Sequence, residues 1–595
     1  MSTVHRWFGS GSYSLLAHID LPQTTCGPLG VLIVPSFGWE DVCSYRPLRF
    51  LARTFAAEGL PAMRFDLPGT GDSSGDARDP GLFDAWIQSV GDAAAELRAA
   101  SGVEEVAVVG VRTGAMLAVI AASRGADFQD LILWAPAATG RAMLREFHAF
   151  SKLARAEYAN SDPSPPQPIP GLEIGGFLIA PETLSALETL DLSTLPTMHA
   201  RRVLVLSRDD LPTDQKLVSA LELSGCTVEV KNGSGYGAMM AIPDEALPPT
   251  ATSRAMIDFL TKASPEKQEA RTDLVMNTVA AAPASAINQG PGGSRETIYT
   301  IERPSGSIFG ILSEPAPEMR SGEGCVLFLN PGAVRHIGPN RMWAEAARRW
   351  AARGVTSLRL DLQGIGESDG EQNLDVASLY QERLVEQVEI VMDSLRSRVG
   401  ARWFAVIGLC SGAFWAFHAA VRNRDVHAAI LLNPRLFFWD PEVDRRRILR
   451  RTAGLLVDTT DWRRLVRGYV SRKSFKRVAR IVLDRFSAGH ANASRQFQIC
   501  PESMADAWEA LERSQNRLTL IFTEGEPLLR EMEEEGHLSP QTSSRVRCIR
   551  IANCGHTFRP LWAQKMAHEL IDNELDAVLR ESRPDSAPTS MLRAS

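Results

Sequence analysis

Two stretches of this chain decide its fold together: "LPAMRFDLPGTGDSSGD" (Leu60–Asp76) and "VTSLRLDLQGIGESDGE" (Val355–Glu371). They share the pattern R-x-D-L-x-G-x-G-[DE]-S-x-G-[DE]. Asp66 recurs as Asp361 and Asp72 as Glu367, a constant offset of 295 positions. A match of this length at a steady offset indicates a duplicated domain, not a short solenoid unit. The chain has 595 residues, too many for one core, and two domains of roughly 250–300 residues are expected.

Around these stretches, short apolar runs alternate with helical patterns. In the second copy "CVLFLN", "TSLRLDL", "WFAVIGL", "AAILLNP", "RLTLIFT" and "RVRCIRIA" read as strands. Between them, "MWAEAARRWAARG", "SLYQERLVEQVEIVMDSLRSR" and "GAFWAFHAAVR" read as helices, with Gly354 suited to close the first. The first copy runs in step through "GVLIVPS", "PAMRFDL", "VAVVGV", "LILWAP", "RVLVLS" and "TVEVKN". Apolar strands separated by helices predict an α/β fold, a mostly parallel, doubly wound sheet in each copy. The boundaries predicted are a first domain over 1–261, a linker rich in Ala, Pro, Gly and Ser over 262–295, a second domain over 296–580, and a disordered tail over 581–595.

Composition excludes several classes. Hydrophobic residues make up 44% and charged residues 23%, the balance of a globular protein. The net charge of -7 supplies no field for nucleic acid. No apolar run approaches the ~18 residues of a membrane span, and the N-terminus lacks the pattern of a secretory leader. The 8 cysteines include no C-x-x-C pair and no cluster with histidine, so reduced thiols in a cytoplasmic protein without a metal are expected. "GTGDSSG" and "GIGESDG" are spaced G-x-G-x-x-x-G and do not open the first strand–helix unit, which argues against a dinucleotide cofactor. No cofactor is expected.

Chemistry concentrates in "GLCSGA" (Gly408–Ala413). A nucleophile on a sharp strand-to-helix turn needs glycine two residues before and after it, because Cβ atoms there would clash. Gly408 and Gly412 centre the frame on Cys410, not Ser411. Ser411 then offers its backbone N–H to an oxyanion. A second N–H is expected from "FLNPGAVRHIG", with Ala333 the choice. The acid and base follow in order. "LTLIFTEGEP" supplies Glu526, with Glu524 the second choice, and "RVRCIRIANCGHTF" supplies His556 after a strand. Histidine and a helix N-terminus favour the thiolate, and a glutamate holds the imidazole tautomer.

The first copy keeps the frame and loses the chemistry. "GVRTGA" puts Arg112 at the centre, "VLVLSRDDLP" offers Asp210 as the acid, and Tyr236 stands where the second copy has His556. Arginine is no nucleophile at neutral pH. This copy is expected to be non-catalytic and to pack on the second as an internal pseudo-dimer. A lesser alternative has Arg112 binding a carboxylate or phosphate at a helix N-terminus.

On "RLDLQGIGESDG", "GLCSGA", "TEGEP" and "NCGHTF", the chain resembles a tandem α/β-hydrolase superfamily protein, near the serine aminopeptidase-like group of esterases and acyl hydrolases. It departs from that group in placing cysteine where serine is usual, as dienelactone hydrolases and some thioesterases do. The resemblance implies cap inserts at about 139–199 and 435–516. The second insert is dense in arginine between apolar positions such as Leu455, Trp462 and Ile481. A solvated basic face on a helical lid explains this, and docking of an acyl carrier protein or a coenzyme A thioester is the functional alternative. The function expected is an acyl-cysteine hydrolase acting on a small-molecule ester or thioester. The alternatives are an acyltransferase that releases a carrier-bound acyl chain onto an amine or alcohol, and a non-catalytic scaffold.

Overall fold

The computed structural model describes residues 2–23, 27–156, 169–194, 198, 200–209, 211–262, 288–290, 293–370, 376–438, 503–538 and 545–581. The basic segment of the second cap insert and the tail beyond 581 lie outside these residues, as does most of the expected linker.

Among the described residues, ten strands belong to the first domain: β1 (Ser2–Ser10), β2 (Tyr13–Leu21), β3 (Leu29–Val34), β4 (Ala62–Phe65), β5 (Glu105–Val111), β6 (Asp130–Trp134), β7 (Leu172–Ile174), β8 (Phe177–Ile179), β9 (Arg202–Leu206) and β10 (Thr227–Lys231). Eight of them form one sheet in the order β1-β2-β4-β3-β5-β6-β9-β10, and β7 pairs with β8 apart. The second domain has β11 (Asn288–Gln289), β12 (Arg295–Ile301), β13 (Ile308–Glu314), β14 (Gly324–Leu329), β15 (Thr356–Asp361), β16 (Trp403–Leu409), β17 (Val426–Leu432), β18 (Arg517–Thr523) and β19 (Val546–Ile551). They form one sheet in the order β11-β12-β13-β15-β14-β16-β17-β18-β19. Both domains are α/β, and from β3 and from β14 onward the strands within each sheet pair in parallel.

The helices of the first domain are α1 (Trp39–Ala57), α2 (Leu82–Ser101), α3 (Thr113–Ser123), α4 (Gly140–Ala156), α5 (Pro181–Glu188), α6 (Gln215–Leu223), α7 (Tyr236–Met239) and α8 (Thr250–Thr261). Those described in the second are α9 (Met342–Ala351), α10 (Glu382–Val399), α11 (Ser411–Arg422), α12 (Met504–Ser514), α13 (Pro527–Glu534) and α14 (Leu561–Glu581). Each sheet carries a separate apolar core on each face. Helices α3 and α11 are buried almost all round, as their unbroken apolar sequences require.

Three expectations change. The N-terminal strands β1–β2 and β12–β13 pair antiparallel and have no helix between them, so they fall outside the alternation read from sequence. The linker ends before 295, because Asn288–Gln289 already pairs with β12. The expected single helix over 378–398 breaks at Gln381 (φ −82°, ψ 143°), leaving a 3-10 turn at Ala377–Tyr380 before α10. Trp415 Nε1–H of α11 donates to Leu379 O at 2.7 Å and pins that turn down.

The repeated R-x-D-L-x-G-x-G motif builds the contact between the sheets. Asp66 Oδ2 accepts the Asp72 N–H at 2.8 Å, and Asp361 Oδ2 accepts the Glu367 N–H at 2.9 Å. A Cβ on Gly71 or Gly366 would fall 2.1 or 2.0 Å from these carboxylate oxygens, which is why glycine stands there. The turn therefore spends its N–H donors on its own aspartate rather than on a phosphate. It then presents Asp72 and Glu367 across the interface. Arg64 donates to both Glu367 oxygens at 2.9 and 3.0 Å, while Arg359 pairs with Asp72. Arg64 and Arg359 occupy the same motif position, as do Asp72 and Glu367, so the two ion pairs are one contact made twice in opposite directions. Arg335 adds a two-pronged bond to Asp66 at 3.0 and 2.7 Å, and His336 bridges Asp361 and Asp72 at 2.7 Å each. Trp7, Leu16, Phe309 and Ile311 form a small apolar cluster beside these charges.

Candidate active site

Strand β16 runs into α11 through Cys410, which holds φ 59° and ψ −113°, a strained backbone for a residue with a Cβ. The flanking glycines are required by contact. A Cβ on Gly408 would lie 2.1 Å from Gly412 O, and one on Gly412 would lie 2.6 Å from Asn330 O. The turn thrusts Cys410 to the N-terminal end of α11, where the helix leaves N–H groups without partners of its own. Ser411 is different: it is fully buried, its Oγ accepts the Gly332 N–H at 2.8 Å, and it faces Asn330 O at 3.4 Å.

His556 and Glu526 come together. His556 Nδ1–H donates to Glu526 Oε1 at 2.8 Å, while Glu524 is exposed on the turn. Glu526 caps α13 with Pro527 at the first helical position, which fixes where its side chain starts. Asn433, at the end of β17, ties the two loops: its Nδ2 donates to His556 O at 2.8 Å, and its Oδ1 accepts the Thr523 N–H at 2.7 Å. The opposite ring nitrogen, Nε2, is buried without a well-aligned hydrogen bond. Its charge partner is the Cys410 thiol. Burial lowers the imidazole, but Cys410 and Glu526 raise it to about 9. Burial raises the thiol, and His556 and Arg435 outweigh this, holding it below its ordinary value.

Three neighbours of Cys410 escape a sequence reading. Tyr380, on the 3-10 turn, is buried against Phe414, with ring centroids 5.2 Å apart, and interacts with the thiol; burial and Cys410 push its hydroxyl well up. Arg435 follows β17 and interacts with Cys410, which raises the guanidinium. Asp244 comes from the first domain, and its Oδ1 accepts the Ala333 N–H at 2.7 Å. No spacing links these residues to position 410; only the break before α10 and the packing of the two domains do.

The matching elbow of the first domain keeps its shape. Arg112 holds φ 54° and ψ −112°, and a Cβ on Gly110 or Gly114 would meet backbone at 2.5 or 2.2 Å. The guanidinium is 3% exposed, with Nε donating to Glu40 at 3.1 Å and Nη2 to Glu146 at 2.8 Å. The arginine thus has two carboxylates of its own protein at the place expected for an anionic ligand. Asp210 lies outside the described residues. Asp209 accepts the N–H groups of Gly235 and Gly237, both at 2.8 Å, and buried Tyr236 packs on Trp134. Burial pushes the Tyr236 hydroxyl well up, so it is no base.

Among the described residues, His5, His18 and Glu367 bring three possible metal ligands together. Burial lowers His5 to about 4 and holds His18 well below its ordinary value, so both are neutral. Glu367 is already paired with Arg64 and accepts from Tyr45 at 2.6 Å, and Arg49 lies alongside. Two guanidiniums at that carboxylate make the cluster a poor seat for a cation.

No curated protein matches the chain. Similar solved structures include the thioesterase domain from the curacin biosynthetic pathway (18% identity, 46% of this chain and 98% of that chain, TM-score 0.28). Est1E from Butyrivibrio proteoclasticus, with ferulic acid bound, is another (17%, 43% and 99%, TM-score 0.31). An alpha-beta serine hydrolase homologue from Coxiella burnetii is a third (13%, 47% and 97%, TM-score 0.29). The stretch that carries the elbow, the acid and the histidine is similar to one family by sequence: residues 324–558 match the family model described as serine aminopeptidase, S33.

Proposed function

We propose that the second domain is an acyl-cysteine hydrolase that acts on an ester or thioester through Cys410, His556 and Glu526. The observation that carries this reading is the thiol at the elbow, lowered by an imidazole that Glu526 orients at 2.8 Å. In the first step Cys410 Sγ, its proton taken by His556 Nε2, attacks the acyl carbon, and a C–S bond forms. The carbonyl oxygen becomes an oxyanion held by the Ser411 and Ala333 N–H groups. The imidazolium of His556 then protonates the leaving alcohol or thiol as its bond to carbon breaks. Water, deprotonated by His556, attacks the acyl-cysteine thioester, and the thiol leaves. Glu526 keeps Nδ1 protonated throughout.

The thioester intermediate is also open to amines and alcohols, so acyl transfer uses the same residues with a different second nucleophile. A carrier-bound or coenzyme A-bound acyl group remains the proposed alternative donor. The first domain is proposed as a non-catalytic copy that arose by duplication and packs as an internal pseudo-dimer; the reciprocal Arg64–Glu367 and Arg359–Asp72 pairs support this. Turnover of activated esters and thioesters tests the reading. Cys410→Ala should abolish it and Arg112→Ala should not. Turnover that survives Cys410→Ala overturns the assignment.

A further inference from the structure

One loop of the first domain reaches the site of the second. Thirteen residues lie between Tyr236 and the start of α8 at Thr250, against four between His556 and the start of α14 at Leu561. The longer segment folds into a tight turn over residues 242–247. Pro243, Pro248 and Pro249 restrict its backbone. The Glu245 and Ala246 N–H groups donate to Ile242 O at 2.8 and 2.9 Å, and Leu247 N–H donates to Ala238 O at 3.0 Å. Arg46 of α1 donates to Ala246 O. Asp244 stands on this braced turn.

The Asp244 carboxylate lies over Gly332 and Ala333. Its Oδ1 accepts the Ala333 N–H at 2.7 Å, and a Cβ on Gly332 would meet Oδ1 at 2.7 Å and Oδ2 at 3.0 Å. Gly332, at φ 59°, therefore both makes the turn and admits the carboxylate. The charge of Asp244 acts on Cys410, Tyr380 and Arg435. An anionic oxygen on the Ala333 N–H sits where the oxyanion of an acyl substrate would be held.

We infer that Asp244 is the resting occupant of the oxyanion hole, supplied by the non-catalytic domain, and that a substrate carbonyl must displace it before Cys410 is acylated. The inference rests on the proposed role of Cys410. It gives the first domain a task at the site: only the fraction of molecules with the carboxylate withdrawn accepts an acyl donor, so the apparent acylation rate is the intrinsic rate multiplied by that fraction. Alkylation of the thiol at a saturated carbon forms no oxyanion and needs no hole.

The test compares two reactions at Cys410 in the full-length protein, both followed by mass spectrometry with peptide mapping. One is acylation by 4-nitrophenyl acetate; the other is alkylation by iodoacetamide. Wild type, Asp244→Ala and Asp244→Asn are measured. The ratio of the two rates removes the common effect of Asp244 on the thiolate, and an unchanged far-ultraviolet circular dichroism spectrum shows that a variant is folded. The ratio should rise about tenfold or more in Asp244→Ala, the scale of one lost charge-assisted hydrogen bond. It should rise less in Asp244→Asn, whose Oδ1 still accepts the N–H. An unchanged or lowered ratio, with wild type acylating, overturns the gate and leaves Cys410 as nucleophile. No acyl adduct in any of the three, with alkylation intact, sinks the nucleophile and the gate together.

Discussion

Arg112 and Cys410 hold the same backbone conformation, φ 54° and ψ −112° against φ 59° and ψ −113°, at the apex of matching strand-to-helix turns. The strain of the elbow is kept in both domains, although only one side chain of the two can attack a carbonyl. The turn is thus part of how each domain is built as well as a device for presenting a nucleophile.

Gly110→Ala and Gly408→Ala should then destabilise comparably. Their Cβ atoms would sit 2.5 and 2.1 Å from backbone, and overpacking of this kind costs about 1–3 kcal/mol or more. Urea melts would measure this. Only Gly408→Ala should also slow acylation of Cys410. A tolerated Gly110→Ala would mean that the first elbow relaxes freely.

Arg112→Ala should remove the partner that Glu40 and Glu146 share at the first domain's elbow. Both glutamates are partly exposed, so water recovers some of the loss, and a destabilisation of about 1–3 kcal/mol is expected. The alkylation rate of Cys410 should stay unchanged. A large fall in that rate would show that the first elbow takes part in the chemistry.

The pH dependence of iodoacetamide alkylation reports the thiol directly. Its inflection should lie below 9.0, the ordinary value for this thiol, because His556 and Arg435 favour the thiolate against burial. His556→Ala should move the inflection upward. An inflection at or above 9.0 in wild type would mean that imidazole and thiol do not share a proton.

The interface carries its own pH signature. Burial lowers His336, but Asp72 and Asp361 raise it to about 9. Its contribution is complete below the unfolded value near pH 6.5 and is lost as pH rises through about 9. Asp72 is held well below its ordinary value against burial, chiefly by His336 and Arg359, so its contribution is present above about pH 4 and lost as pH falls. The melting temperature should therefore fall as pH rises from about 6.5 toward 9. His336→Gln should flatten the alkaline fall. A wild-type profile flat to pH 9 would contradict the ion-paired interface.

Much of this architecture was legible in sequence, for identifiable physical reasons. Parallel strands buried on both faces leave long apolar runs, so β14, β16, β17 and β18 stand out. The elbow glycines are legible because each faces backbone, which allows no substitute. The distance past the strand and Pro527 favour Glu526 over Glu524, and Glu526 is the one bonded to His556. The antiparallel pairs β1–β2 and β12–β13 lack the helix alternation that marks the rest. Asp244, Tyr380 and Arg435 have no spacing relative to Cys410; one arrives from another domain, one through a break at Gln381, and one through packing after β17. The motif at Asp66 and Asp361 shows its repeat but not its purpose, because an interface between two domains leaves no local signature.

The central claim is that Cys410 becomes acylated, and intact-protein mass spectrometry after incubation with activated esters and thioesters tests it most directly. The account predicts one acyl adduct, mapped to Cys410, absent in Cys410→Ala and slow to form in His556→Ala. No adduct with any acyl donor, or an adduct that persists in Cys410→Ala, would contradict it.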